Sequence, residues 1–277
     1  MRYADLHLHT YHSDGTRSPT EVIDLAVKLD LQIIAISDHD NVAAFHEIRD
    51  YAAERAVLLI PAAELSANHS GVDVHILAYA FDPDDERLAT RLAELRSARA
   101  RRGETMVDRL RALGYPITLD RVKELCGDGA LGRPHVARAL VEQKVVSSVS
   151  EAFDRFLKPG KPGYVGKESF EVSELLKLVH ASGGLTSVAH PTLYPRQQTI
   201  VREVLESGVD AIEVYHPDVD SGSRTTYQRI AREMGKFVTG GSDDHGTVKK
   251  AETIGSIRVP ENLIEPILAR VSDRRAG

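Results

Sequence analysis

Short apolar runs alternate with amphipathic stretches of helical period along most of this chain, and that alternation constrains its fold more than any other feature. It is the pattern of an α/β barrel or a doubly wound sheet. Strands are predicted at residues 2–6, Leu31–Ile36, Val57–Ile60 and Val72–Tyr79, where Val74, Ile76 and Ala78 alternate with Asp73, His75 and Leu77. A helix is predicted from Ser18-Pro19-Thr20-Glu21, where the serine caps, the proline suits the first turn and the glutamate completes a capping-box spacing, and another over 41–54. At about residue 84 the alternation stops. One long helix is predicted over 85–113, ended by Gly114 with Pro116 behind it, then shorter ones over 118–125, 134–143 and 149–157, with Gly/Pro-rich Lys158–Gly163 closing the block. Strands then resume at 185–189, 209–215 and 236–239, with helices at 172–182, 197–207 and 223–234. This order predicts one α/β barrel, residues 1–84 and 166–277, interrupted by a helical insertion at 85–165, rather than two sequential domains.

A chain of 277 residues, 42% hydrophobic and 27% charged, can bury a full core. No apolar run reaches the roughly 18 residues of a membrane span. The start runs directly into the first strand, which leaves no room for a signal peptide. Cys126 stands alone, which excludes an internal disulfide framework and fits a reducing cytoplasm. The net charge of −6 weighs against broad, nonspecific nucleic-acid binding. It leaves a phosphorylated substrate open, because multivalent cations reverse the field locally.

The twelve histidines gain meaning from their placement. His7 and His9 follow the first strand and, two apart, share one face. Asp14 sits in the turn Ser13-Asp14-Gly15, and His39 follows the second strand in Ser37-Asp38-His39-Asp40. Glu64 is read as ending the third strand and His75 as lying in the fourth. His190 precedes Pro191 after Val188-Ala189, and Asp243 and His245 fall within Gly240–Gly246. Singly each has a bland explanation: an aspartate before glycine is usually a turn residue, and a histidine before proline is usually a satisfied loop residue. Jointly, at successive strand ends, they face the rim where parallel barrels build their sites. Nine imidazole and carboxylate groups are too many for one ion and suit two or three.

Through Asp5–His9, Ser37–Asp40, Glu64, His75, Ala189-His190-Pro191 and Gly241–Gly246, the chain resembles the polymerase and histidinol phosphatase (PHP) family, over residues 1–80 and 185–250. The resemblance implies a distorted seven-stranded β/α barrel with an inserted helical cap domain and a cluster of two or three divalent ions, Mn2+ foremost, with Fe2+ or Zn2+ as alternatives. Carried over by position, His7, His9, Glu64 and Asp243 would hold one ion. Glu64 would bridge to a second held with His75 and His190, and Asp14, His39 and His245 would hold the third. Many relatives carry histidine at the position of Asp14. Asp14, His39, Glu64 and His245 are the residues expected to carry the chemistry.

Within the insertion, Arg99 and Arg102 lie three apart on one helix face, and Gly132-Arg133-Pro134-His135 and Lys161–Val165 follow. This combination resembles the branch of nucleoside 3′,5′-bisphosphate phosphatases and 5′→3′ oligoribonucleases. There, Arg99, Arg102, Arg133, Pro134 and His135 would meet the phosphate that is not cleaved. Arginine suits that task through its planar, bidentate fork. The implied reaction is metal-assisted hydrolysis of the 3′-phosphate to leave the 5′-nucleotide, and, on an RNA 5′ end, cleavage of the first internucleotide ester. The partners implied are a nucleotide and short RNA 5′ ends, with no membrane and no obligate protein. Against this stand a histidinol-phosphate phosphatase, which leaves the arginines unexplained, a module serving a DNA polymerase, and a non-catalytic metal-stabilised binding protein. His12, His46, His69, His180 and His216 are read as surface or helix residues, Asp5 and Asp38 as carboxylates orienting neighbouring ligands, and Cys126 as buried and inert.

Overall fold

The computed structural model describes residues 2–127, 131–166, 170–248 and 253–276. Its architecture is α/β, with the described strands in two sheets rather than one continuous seven-stranded ring. In the smaller sheet β1 (Tyr3–Leu8), β2 (Ile33–Ile36) and β3 (Leu58–Ile60) run parallel, and β10 (Val259–Pro260) pairs antiparallel with β1. The larger sheet has the order β6 (Phe170–Glu171), β4 (Ala62–His69), β5 (Val72–Tyr79), β7 (Leu185–Val188), β8 (Ala211–Tyr215) and β9 (Phe237–Gly240). Strands β7, β8 and β9 are mutually parallel, and β5 is antiparallel to both β4 and β7. Two isolated parallel bridges, Leu8 to Asp244 and His39 to Glu64, tie the sheets together at the C-terminal ends of β1 and β2. Those ends carry His7, His9 and His39.

The strand predicted at Val57–Ile60 is present as β3, but the placement of Glu64 at its end is corrected. Strand β3 ends at Ile60, and after Pro61 a separate strand, β4, places Glu64 third in its run. Ala-Ala-Glu-Leu-Ser-Ala-Asn-His has little intrinsic strand preference. What makes it a strand is pairing with β5, residue for residue from Ala62 opposite Tyr79 to His69 opposite Val72. Ser70 and Gly71, with φ of 51° and 81°, form the two-residue hairpin turn whose twist matches such a pair.

The helices follow the expected segments. In α1 (Pro19–Lys28) the Ser18 hydroxyl accepts from the Glu21 amide at 3.2 Å and the Glu21 carboxylate accepts from the Ser18 amide at 2.7 Å. Helix α2 (Ala43–Glu54) covers the smaller sheet with α1, and α7 (Val172–Ala181), α8 (Gln197–Glu206) and α9 (Ser221–Glu233) cover the larger. A further helix, α10 (Glu265–Ala276), seals the apolar layer between the sheets with Ile267 and Val271.

The long helix α3 (Glu86–Ala112) belongs to two cores at once. Its first half sets Leu88, Leu92 and Leu95 against the larger sheet. Its second half sets Met106, Val107 and Leu110 into a separate apolar cluster with α4 (Leu119–Cys126), α5 (Arg133–Glu142), α6 (Val149–Ala152) and the π-helical turn Phe153–Leu157. It ends where Gly114 takes φ 85° and the Tyr115 amide donates back to the Leu110 carbonyl. Cys126 is buried in this helical cluster. Among the described residues no helix is long and apolar enough to cross a membrane.

Candidate metal centre

Glu64 sits at the centre of the site, 1% exposed. One carboxylate oxygen, Oε1, lies 2.5 Å from His75 Nδ1 and 2.9 Å from His190 Nε2. The other, Oε2, lies 3.2 Å from each of His7 Nε2, His9 Nε2 and His39 Nδ1. Five imidazoles from four strands or the loops after them therefore converge on one carboxylate. Asp243 approaches the same histidines from β9: its Oδ1 is 3.4 Å from His7 Nε2, 3.3 Å from His9 Nε2 and 3.5 Å from His245 Nδ1. Asp14 closes the third side, 3.3 Å from His245 Nε2, 3.6 Å from His39 Nε2 and 3.7 Å from His9 Nδ1. All nine residues singled out in the sequence are thus brought together. Three groups could each hold an ion: His9, Asp14, His39 and His245; His7, His9 and Asp243; and His39, Glu64 and His75.

Ligand atoms bonded at about 2.1 Å to one ion stand roughly 3.0 Å apart at octahedral edges and 3.4 Å apart at tetrahedral ones. Most of the separations between these nitrogen and oxygen atoms fall in or close to that range. Buried nitrogens without a hydrogen-bond partner, His9 Nε2 and His39 Nδ1 among them, point the same way. The tautomers fit as well. His7 Nδ1 is 2.8 Å from Glu213 Oε1, and His245 Nδ1 is 3.0 Å from the Asp243 carbonyl, so both rings can donate outward and keep Nε2 for the cluster. Burial alone would raise the carboxylates, yet the surrounding imidazoles hold Glu64, Asp14 and Asp243 well below the usual carboxylate range. Burial lowers His245, but Asp14 and Asp243 reverse this and raise it to about 9.

The backbone has been shaped for this convergence. Gly241 crosses the end of β1 so closely that a Cβ there would lie 2.3 Å from the His7 Cβ and amide nitrogen. Asp5 accepts hydrogen bonds from the Ser242 and Gly255 amides, and Asp38 from the Thr10 amide, the Thr10 hydroxyl and Ser13, so both carboxylates fix the loops that carry the clustered residues.

Two residues of the site escape the sequence reading. Glu213, fully buried in β8, anchors His7 through Nδ1 and accepts from the His190 amide at 2.6 Å. The signal was available: a carboxylate inside the apolar run Ala-Ile-Glu-Val-Tyr has no reason to be buried without a cationic or donor partner. His216 corrects the surface reading, since it is 1% exposed with its ring 6.2 Å from His7 and 6.0 Å from His190. His12, His46, His69 and His180 lie outside the cluster, each beside a carboxylate: Glu47, Asp84, Glu203 and Asp210 respectively.

Of the arginines in the helical segment, Arg99 and Arg102 face inward. Arg99 donates to Asp40 Oδ2 at 3.0 Å and to the Ser66 hydroxyl at 2.8 Å, beside the loop that carries His39. Arg102 is 8% exposed, donates through Nε to the Val165 carbonyl at 2.9 Å, and keeps a buried Nη2 without a partner. Among the described residues no carboxylate lies within ion-pair distance of Arg102 or Arg133. Burial, followed by the Arg133 and Arg99 charges, pushes Arg102 down to about 10. Pro134 occupies the first turn of α5.

His135, 1% exposed, accepts from the Gly132 amide through Nδ1 at 3.0 Å, so its ring also fixes the start of α5. Burial brings its pKa down to about 4, Asp14 opposing and Arg138 and Arg99 assisting. A histidine with a depressed folded pKa contributes fully above about pH 6.5 and loses that contribution as the pH falls toward 4. His135→Gln keeps an acceptor for the Gly132 amide. It is therefore expected to flatten the fall of Tm over that interval, and an unchanged slope in thermal melts across pH would show that His135 does not fold neutral.

Fold and cluster together define a metal-dependent hydrolase on an α/β scaffold. Residues 5–220 match the PHP domain, and the chain belongs to the PHP domain family, whose hydrolases act on phosphoric esters. It is 32% identical to a 5′-3′ exoribonuclease of Haemophilus influenzae, over 87% of this chain and 89% of that one. It is 28% identical to the 3′,5′-nucleoside bisphosphate phosphatase of Chromobacterium violaceum, over 99% and 98%. Among solved structures it resembles one described as a metal-dependent phosphoesterase from Bifidobacterium adolescentis, with TM-score 0.87, 32% identity and 96% of each chain covered. It also resembles one described as an amidohydrolase from Chromobacterium violaceum with bound sulfate and no metal, with TM-score 0.89, 29% identity and 96% of each chain covered.

Proposed function

We propose that this phosphoesterase removes the 3′-phosphate of nucleoside 3′,5′-bisphosphates, and that the same geometry trims 5′-phosphorylated RNA from its 5′ end. The observation that carries this reading is the group Arg99, Arg102 and Arg133 beside the metal centre, Arg102 buried and the other two half-buried. These cations interact with one another and with its edge: Arg99 depresses the pKa of His39, which burial has already lowered, while His135 feels Asp14. Arg99 is matched by Asp40, but among the described residues buried Arg102 and half-buried Arg133 have only the longer-range attraction of Asp73, and positive charge so poorly matched calls for an anion. In this reading the two sheets act as a distorted barrel, residues 1–84 and 166–277, and residues 85–165 as its cap. The cap holds one phosphate and thereby sets which ester reaches the metals. The names of the two relatives, an exoribonuclease and a bisphosphate phosphatase, support the same substrate class.

The ligand assignment takes His7, His9 and Asp243 for one ion, Glu64 with His75 and His190 for a second, and Asp14, His39 and His245 for a third, with Glu64 shared. Two or three divalent ions there, Mn2+ foremost, would activate water at neutral pH and neutralise the phosphoryl oxygens. Glu213 and the Asp243 carbonyl keep imidazole lone pairs directed inward, Arg102 and Arg133 orient the distal phosphate, and α3 shields the reaction from bulk water. Chelation is expected to abolish turnover and added Mn2+ to restore it, with more than one metal equivalent by elemental analysis. The deciding experiment compares a 3′,5′-bisphosphonucleoside, a mononucleotide, histidinol phosphate and short 5′-phosphorylated RNA in the presence of Mn2+. Equal turnover of the bisphosphonucleoside and the mononucleotide would return the assignment to a general phosphomonoesterase.

A further inference from the structure

His216 lies at the C-terminal end of β8, next to Tyr215, and its side chain is wholly buried. Its two ring nitrogens have different surroundings. Nδ1 accepts a hydrogen bond from the Asp218 amide at 3.1 Å. A nitrogen that accepts carries a lone pair, so in the neutral ring the proton resides on Nε2. Nε2 is buried without a hydrogen-bond partner, and Asp243 Oδ2 stands 3.5 Å from it. Asp243 turns its other oxygen, Oδ1, toward His7 and His9.

We propose that His216 is a positioning residue of the metal centre. Through its Nε2–H it steers Asp243 Oδ2, so that Oδ1 alone is presented to the ion shared with His7 and His9. The inference rests on the reading of the cluster as a metal centre. It makes His216 a donor and not a tenth ligand, because binding an ion through Nε2 would need the proton on Nδ1, where the Asp218 amide already donates. The need for such a device is visible in the backbone. Asp243 takes φ 49°, in the left-handed region, within a loop whose passage over β1 depends on Gly241. A carboxylate on a turn of that kind has two oxygens and several imidazoles within reach, and one donor on Oδ2 selects its rotamer. Asp5 and Asp38 fix the loops, Glu213 fixes His7, and His216 completes the set by fixing the aspartate.

The test is Mn2+ titration of the metal-free full-length protein, comparing wild type, His216→Leu and His216→Gln. His216→Leu is expected to weaken one Mn2+ site by about ten- to a hundredfold while the number bound at saturation stays the same. His216→Gln, whose amide can still donate, is expected to recover most of that affinity. Equal affinity in wild type and His216→Leu overturns the proposal. So does a loss of one bound ion in both variants, which would make His216 a ligand. Nitrogen NMR of the labelled, metal-free wild type gives a readout independent of any variant: the Nε2–H tautomer is expected, and an Nδ1–H signal for His216 overturns the proposal. If wild type itself binds fewer than two ions, the metal-centre reading fails with it, an outcome separable from the others because no variant is needed to see it.

Discussion

Glu64→Gln is expected to reduce kcat by about three orders of magnitude, with loss of bound metal. The substitution preserves size and shape but leaves one oxygen where there were two. The two oxygens of Glu64 divide the site between them, His75 and His190 on Oε1 and His7, His9 and His39 on Oε2. Whichever way the amide turns, an NH2 group replaces a lone pair on one side, and the negative charge that two ions would share is gone. Removing several kcal/mol of charge stabilisation corresponds to roughly a thousandfold at 1.4 kcal/mol per decade. Elemental analysis and kcat should fall together, while circular dichroism stays native, because Ala63 and Leu65 on either side still pack in the apolar core. A variant with near-normal turnover and metal content would refute Glu64 as the shared ligand.

The second large effect concerns substrate choice. Arg102→Ala and Arg133→Ala are expected to lower kcat/KM for a 3′,5′-bisphosphonucleoside by about ten- to a hundredfold each, and to leave an aryl phosphate nearly unaffected. A charge-assisted contact with phosphate is worth roughly 1.5–3 kcal/mol, and only the bisphosphate makes it. Arg99→Ala is expected to behave differently. Its guanidinium is engaged by Asp40 and Ser66, and Asp40 follows His39 directly, so its removal should disturb both substrates. Parallel kinetics on the two substrates with the three variants check this. If Arg102→Ala and Arg133→Ala reduce both substrates alike, these cations are structural and the proposed cap makes no contact with a second phosphate.

The contrast between Arg99 and Arg102 shows how differently the sequence and the folded chain speak about a residue. Spacing places both on one helix face, and the structure turns that face inward. Only there does Arg99 acquire a carboxylate, 59 residues earlier in the chain, and Arg102 go without one.

What the sequence determined by itself is the set of segments and the ligand candidates. Strand and helix periods are local, capping by Ser18 and termination at Gly114 depend on a few adjacent residues, and imidazoles placed two apart or just after strands declare their face. Strand β4 was not legible, because its polar, small-residue run becomes a strand only through its partner. Its one local sign, Ser70-Gly71, marks a turn without saying what pairs across it. Glu213 left a local sign, a carboxylate inside an apolar run, but neither its partner nor the role of His216 was legible, for the same physical reason. A buried glutamate is tolerable only beside a donor such as His7, more than two hundred residues away in the chain, and a histidine's tautomer is set by whichever group reaches its second nitrogen. Which atoms face the ions, which arginine remains unpaired and which nitrogen holds a proton are properties of distances between remote segments. Those distances exist only once the two sheets meet.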